Sequence, residues 1–446
     1  MAHQTHNIPW NVLASNLTWV AVNHCQEYDV AGHYRTKVKG NNLHLRYQPN
    51  QGKELTYFVR AFAKTLSEHS TCERLKYPEK YEPPGSQDVV LDDDVVKKIS
   101  PTFQRLRLDF DWKTCGHKQS EECRCPIPRE ARKASAFLQK RRNNSCYQFF
   151  QANGTAFVNV ELVKMLLLYG EMDTIFRICA HPDVDLHNWW DAAECQDLPR
   201  NAGWNEVSNM ALRAYLCLNV LHCFPETWDL ASGKTDETDY RQTRLYQYML
   251  RTCTLSGMTS EVSTHPHRQF FGIERGQFKL YPSLRDGRRW AYLVHIGRRA
   301  YDYPYGLMPI EELLVCEQQD SLYGSGYRPQ VSEIAHVRGI LCSRGLPVEL
   351  AMEIMDMAGY VPLRRLKVPN DPLHLDNKDE LAEYLKYCWL LMIRSDMMAK
   401  ALGMEIPWKT MVSECLIDLL GCINCSRGKW FEDIYTDDSY DNVRFL

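Results

Sequence analysis

Long apolar runs are missing from this 446-residue chain. The most apolar stretches, 163–169 and 212–224, are broken by charge or too short to span a bilayer, so no membrane-spanning helix is expected. No basic start leads into an apolar core within the first residues, and a secretory leader is therefore not expected either. Excess charge is lacking too. A net charge of −3 gives no global attraction to nucleic acid or to an anionic membrane.

Catalytic signatures are equally scarce. The chain has no G-x-G-x-x-G, no His-Glu-x-x-His and no Gly-x-Ser-x-Gly. Gly324-Ser325-Gly326 lacks the third glycine of the dinucleotide turn. Gly233-Lys234-Thr235 has the end of a phosphate-binding loop, but Trp228 stands where its first glycine belongs. Cys422-Ile423-Asn424-Cys425 has redox spacing without a preceding strand, which favours a structural pair. No solenoid-length repeat is visible. The sequence calls for no cofactor and no resident metal.

Cysteine, in contrast, is plentiful. Seventeen scattered cysteines, several in apolar helical settings (Cys179, Cys217, Cys388, Cys415), read as free buried thiols in a reducing compartment. A cytoplasmic or nuclear location follows as an expectation. The Asn16-Leu17-Thr18 and Asn153-Gly154-Thr155 sequons are then chance matches.

Length and pattern suggest an α+β chain: a β-containing N-terminal part and a mainly helical C-terminal half. Four regions are expected: a β-containing region 1–112, a basic cysteine-containing linker 113–145, a helical then strand-containing region 146–330, and a helical region 331–446. Leu43-His44-Leu45-Arg46-Tyr47 alternates like a strand, and a turn at 49–52 would pair it with Leu55-Thr56-Tyr57-Phe58-Val59. Residues 74–100, with three prolines and an acidic run, read as an exposed connector, and 106–112 as another strand. Helical spacing recurs through 158–167, 175–179 and 210–220. Trp189, Trp190 and Trp204 between them suggest packing between layers. Strands are expected at 277–281 and 290–294.

Two constellations could carry chemistry. Residues 113–145 hold nine Lys or Arg against three Glu, with Cys115, His117, Cys123 and Cys125 inside eleven residues. Such a set could close a zinc knuckle beside phosphate-binding basic residues. Paired zinc ligands normally have two to four residues between them, and here one intervenes, so a solvated linker leading into a helix at 129–142 is the plainer reading. Asp109 with Asp111, and His265 with His267, would each share a strand face and together could form a metal-dependent hydrolase site.

The most ordered stretch is 345–403. Pro347 suits a helix start, Leu350, Ile354 and Met357 recur at helical spacing, and Gly359 suits a stop. After a proline-rich connector, an apolar stripe runs from Leu381 to Leu402, long enough for the two helices to bury each other. The Leu346-Pro347-x-Glu349-Leu350-x-x-x-Ile354 pattern resembles the opening helix of an F-box, with Trp389 in the place of its later tryptophan. That resemblance implies docking, through Leu346, Pro347, Leu350 and Ile354, onto the adaptor of cullin-type ubiquitin ligases. From His336 to Lys409 the chain is similar to a group of uncharacterised filamentous-fungal proteins. They share the Gly-Leu-Pro start, Asp371-Pro372-Leu373-His374, Tyr384-Leu385-Lys386-Tyr387-Cys388-Trp389 and the Gly403-Met404-Glu405-Ile406-Pro407-Trp408 exit. The function expected is that of a non-enzymatic protein-interaction or adaptor protein, with protein partners and with neither nucleic acid nor membrane. The metal hydrolase and the zinc-stabilised nucleic-acid binder stand as alternatives.

Overall fold

Helix dominates the described residues of the computed structural model, which are 7–22, 27–28, 34–35, 40–45, 51–109, 127–142, 149–192, 202–254, 261–273, 331–358, 360 and 366–420. Strand is confined, among them, to two short antiparallel pairs, so the expected α+β class is corrected to a mostly helical one. β1 (Leu17–Val22) pairs with β4 (Gly40–Leu45) in the register Leu17↔Leu45 to Val22↔Gly40, and β2 (Glu27–Tyr28) pairs with β3 (Tyr34–Arg35). The expected strand at 43–47 is thus found in part, but its partner is β1 rather than 55–59.

Residues 55–59 lie inside α2 (Gln51–Arg74). Over five residues Leu-Thr-Tyr-Phe-Val alternates. Over twenty-four, Leu55, Phe58, Val59, Phe62, Ala63 and Leu66 fall on one buried stripe at helical spacing, and the longer period wins. The same applies to the strand expected at 106–112: residues 106–109 close α3 (Asp93–Asp109), and 110–112 lie outside the described residues. The Asp92 carboxylate accepts the backbone N–H of Val95 at 2.9 Å, and Val95, Val96, Ile99 and Phe103 are buried. The exposed connector therefore ends before α3. Its last residues are not solvated either: Val90 and Leu91 are buried, and Val90 N–H donates to the Arg132 carbonyl at 2.9 Å.

Beyond that bridge, the expected helix at 129–142 is two short 3-10 turns, Arg129–Arg132 and Ala134–Leu138. Ile127, Ala134 and Phe137 enter the core, so this part of the basic segment is packed rather than solvated. Asn159, on α4, donates its amide to the Ala136 carbonyl.

The central helices agree with their periodicity: α4 (Phe149–Tyr169), α5 (Met172–Cys179) and α6 (Asn205–His222). α7 (Arg244–Thr254) and α8 (Glu261–Phe271) follow. Trp189 and Trp204 are fully buried; Trp190 meets Trp204 edge-on at 4.4 Å, and the Trp204 indole donates to the Leu186 carbonyl at 2.8 Å. The tryptophans pack between helices, as expected. Both sequon asparagines, Asn16 and Asn153, are buried and hydrogen-bonded. The strands expected at 277–281 and 290–294, the Cys115–Cys125 cluster, Gly324–Gly326 and Cys422–Cys425 lie outside the described residues.

In the C-terminal region α9 (Val331–Ser343) and α10 (Val348–Met357) form a hairpin. α11 (Lys378–Ala401) and α12 (Trp408–Leu420) then close the core. α11 packs chiefly against α6, α2 and α5. The Leu381–Leu402 stripe thus buries itself against the N-terminal half of the chain. Its Trp389 is wedged beside Phe62 of α2 at 5.4 Å, and its indole donates to His69 Nδ1 at 3.0 Å. Arg394, one turn further, donates to the Leu167 and Leu168 carbonyls at 3.0 and 3.1 Å, which caps the C-terminus of α4 with a cation. Buried apolar residues from Ile8 to Leu420 form one continuous cluster.

Candidate functional site

The hairpin differs from every other helical pair described. Its turn is written in the sequence. Gly345 has φ +92°, Gly345 N–H donates to the Cys342 carbonyl at 3.0 Å, and Leu346 N–H reaches back to the Leu341 carbonyl at 3.3 Å. These two bonds are the glycine-terminated helix ending in which the left-handed residue frees the last carbonyls to be satisfied. Pro347 then starts the second helix, its carbonyl accepting Ala351 N–H at 3.0 Å.

Among the residues of α10 whose burial is described, Ala351 and Met355 are buried. Leu350 is 48% exposed, Ile354 40%, Val348 44% and Met352 51%, and Ile340 on α9 is 46% exposed. The expectation that this helix lies mostly in the core is overturned. The periodicity correctly marks an apolar face, but α9 covers just the middle of it, and the long stripe of α11 is engaged elsewhere. The four residues singled out in sequence, Leu346, Pro347, Leu350 and Ile354, therefore sit together at the turn and on the outer side of the hairpin. Trp389, the other element of the F-box resemblance, is buried far along α11 against α2.

Elsewhere a few ionisable side chains are locked into the core. His267 is fully buried on α8, its Nδ1 hydrogen-bonded to the Tyr384 hydroxyl at 2.6 Å. Tyr384 in turn stacks flat on Phe270, with ring centres 3.7 Å apart. Burial pushes the His267 imidazole down to about 3 and keeps it neutral. His265 and His267 lie on a helix, where residues two apart point about 200° apart rather than to one side, so the shared face that the hydrolase reading requires is not formed. Asp109 is the last residue of α3, and Asp111 lies outside the described residues. Among the described residues no group of three or more His, Cys, Asp or Glu is placed to hold a metal ion.

Burial also governs the thiols. Cys179, Cys217, Cys253, Cys388 and Cys415 are free and buried, as sequence suggested for four of them. Desolvation pushes Cys179, Cys253 and Cys415 up to about 12, which suppresses the thiolate and with it nucleophilicity.

Lys234, from the phosphate-loop-like tripeptide, belongs to a cluster that sequence reasoning did not foresee. Its ammonium lies 3.2 Å from Asp239 and 3.5 Å from Asp371. Arg241 pairs with Asp239 at 2.7 Å, and the Tyr240 hydroxyl donates to Asp371 at 2.7 Å. Burial raises the Asp239 carboxyl, but the Arg241 hydrogen bonds and charge, with Lys234, outweigh it and leave it below the ordinary carboxylate range. Two cations matched to two carboxylates form a closed structural set that leaves the lysine no spare charge for a phosphate. The two acidic partners sit 132 residues apart in sequence, which is why no local motif announces them.

No described helix is long and apolar enough to cross a membrane. No curated protein and no solved structure matches the chain. One family does match, over residues 11–431: the fungal family described as "Gramillins biosynthetic cluster protein GRA5". That span covers nearly all of the buried cluster, the hairpin and the segment from His336 to Lys409. The chain therefore belongs to the gramillins biosynthetic cluster protein GRA5 family.

Proposed function

We propose that this chain is a non-enzymatic protein-interaction component that works alongside the other products of a biosynthetic cluster, with the α9–α10 hairpin as its working surface. One observation carries the reading: five large apolar side chains within fifteen residues, Ile340 to Ile354, stand 40% or more exposed on a hairpin that packs mainly on itself. Exposed apolar area concentrated in this way marks association surfaces in soluble proteins. The family description adds the setting, since it names a biosynthetic cluster protein.

The experiment replaces the native gene with a Leu350→Glu/Ile354→Glu variant and measures the cluster's product. A loss of product from a variant that accumulates and melts like the unmodified chain supports the reading. Full product formation by the same variant sinks it.

A second reading is favoured by the exposure of Leu350 and Ile354 in particular. These are the residues that an F-box-like helix would present to a ubiquitin-ligase adaptor. Titration of the chain with a purified adaptor of that class tests it, and no binding at about 10 µM excludes an affinity of functional size.

A further inference from the structure

We infer that the helical core holds one resident water molecule, bound on α8 between Ser263 Oγ and His267 Nε2.

Two side chains carry the site. Ser263 and His267 are completely buried, and neither Ser263 Oγ nor His267 Nε2 has a hydrogen-bond partner among the described residues. They lie four residues apart on α8, so their side chains share one ridge, with β-carbons about 5–6 Å apart. A long side chain on a helix leans back over the preceding turn, which carries the imidazole of His267 toward Ser263. The ring is not free to turn toward another partner. Its Nδ1 is bonded to the Tyr384 hydroxyl at 2.6 Å, and Tyr384 is itself fixed by its stack on Phe270, with ring centres 3.7 Å apart. Nε2 is thereby held at the far edge of the ring from Tyr384.

The helix supplies a third group. Pro266 lies inside α8 and has no N–H, so the Val262 carbonyl is deprived of the donor that any other residue at 266 would give it. The proline ring also crowds that carbonyl, and a proline or an inserted water is among the ordinary causes of an opened helical turn. Buried waters make about three hydrogen bonds to groups that are otherwise unsatisfied. This turn offers three: a hydroxyl, a ring nitrogen and a carbonyl.

The chemistry selects water over an ion. The hydroxyl is neutral, and burial keeps the imidazole neutral as well. Among the described residues no group of three or more His, Cys, Asp or Glu is placed to add the ligands a metal would need. A neutral imidazole carries its hydrogen on one nitrogen, so Nε2 donates or accepts according to the direction of the bond to Tyr384. Water answers either case, and it can donate to the carbonyl in both.

The test uses the full, unmodified chain. A crystal structure at about 2 Å or better is expected to show an ordered water within about 3.2 Å of both Ser263 Oγ and His267 Nε2. A direct bond between these two atoms, apolar side chains filling the space between them, or a water that reaches only one of them overturns the inference. In solution, a chain labelled at histidine is expected to show cross-relaxation from water to the ring protons of His267, assigned by its loss in a His267→Gln variant. A folded chain without that transfer, or with one that survives His267→Gln undiminished, also overturns it.

Discussion

Arg394 occupies the space that a side chain on Gly170 would need: its Nη2 lies 2.7 Å from where a β-carbon on that glycine would sit. Gly170 has φ +76° and follows α4, and the guanidinium donates to the Leu167 and Leu168 carbonyls of its last turn. Backbone and side chain thus solve one problem together.

Gly170→Ala is expected to destabilise the chain by about 2–3 kcal/mol, the left-handed strain plus the displaced cap. Gly233→Ala is the control. Gly233 has φ +98° with nothing within 4 Å of its absent side chain, so only about 1 kcal/mol is expected. Urea melts of the two variants measure both, and equal costs would show that Arg394 moves aside freely.

Acid is expected to weaken the fold through His267. Its folded value, about 3, lies below the ordinary histidine value because burial disfavours the charged form. The unfolded chain binds the proton first, so this contribution is complete above about pH 6.5 and declines as pH falls toward 3, by up to about 1.4 kcal/mol per pH unit. A His267→Gln variant should lose that portion of the slope. Stability measured at intervals from pH 7 to pH 4, as the difference between the two chains, checks the sign.

Removing Asp371 should be costly. Asp371→Ala leaves Lys234 and Arg241 sharing Asp239 alone and leaves the buried Tyr240 hydroxyl without its acceptor; about 3–5 kcal/mol is expected. Asp239 couples the same cluster to acid. Its folded value is depressed, so its contribution is present above about pH 4 and is lost only as pH falls below the ordinary carboxylate range. Chemical melts of the unmodified chain and an Asp239→Asn variant at pH 7 and pH 3 check the Asp239 contribution.

Leu385→Ala and Ile354→Ala should diverge. Leu385 is fully buried on α11, and the cavity is expected to cost about 2–5 kcal/mol. Ile354 is 40% exposed, and its truncation is expected to cost no more than about 1 kcal/mol. A large loss at Ile354 would return α10 to the core.

The helices at 158–167, 210–220 and 381–402 were legible because their apolar spacing persists over several turns. The windows at 55–59 and 106–109 misled because five residues of alternation outweigh nothing once a helix of seventeen or twenty-four residues surrounds them. Periodicity located the apolar face of α10 but says nothing of its cover, since cover depends on where α11 goes. Arg394, Asp371 and His267 were invisible for a related reason. Each meets partners more than a hundred residues away, and no spacing rule reaches that far.

The contact between His69 and Trp389 spans 320 residues of chain. At a synthesis rate of about 5–20 residues per second, the inner face of α2 waits roughly 15–60 s on the ribosome before α11 emerges to cover it. During that interval Phe62 stands without the Trp389 ring that finally packs against it. Apolar surface left open for that long favours aggregation of the nascent chain until the last quarter of the protein has been made.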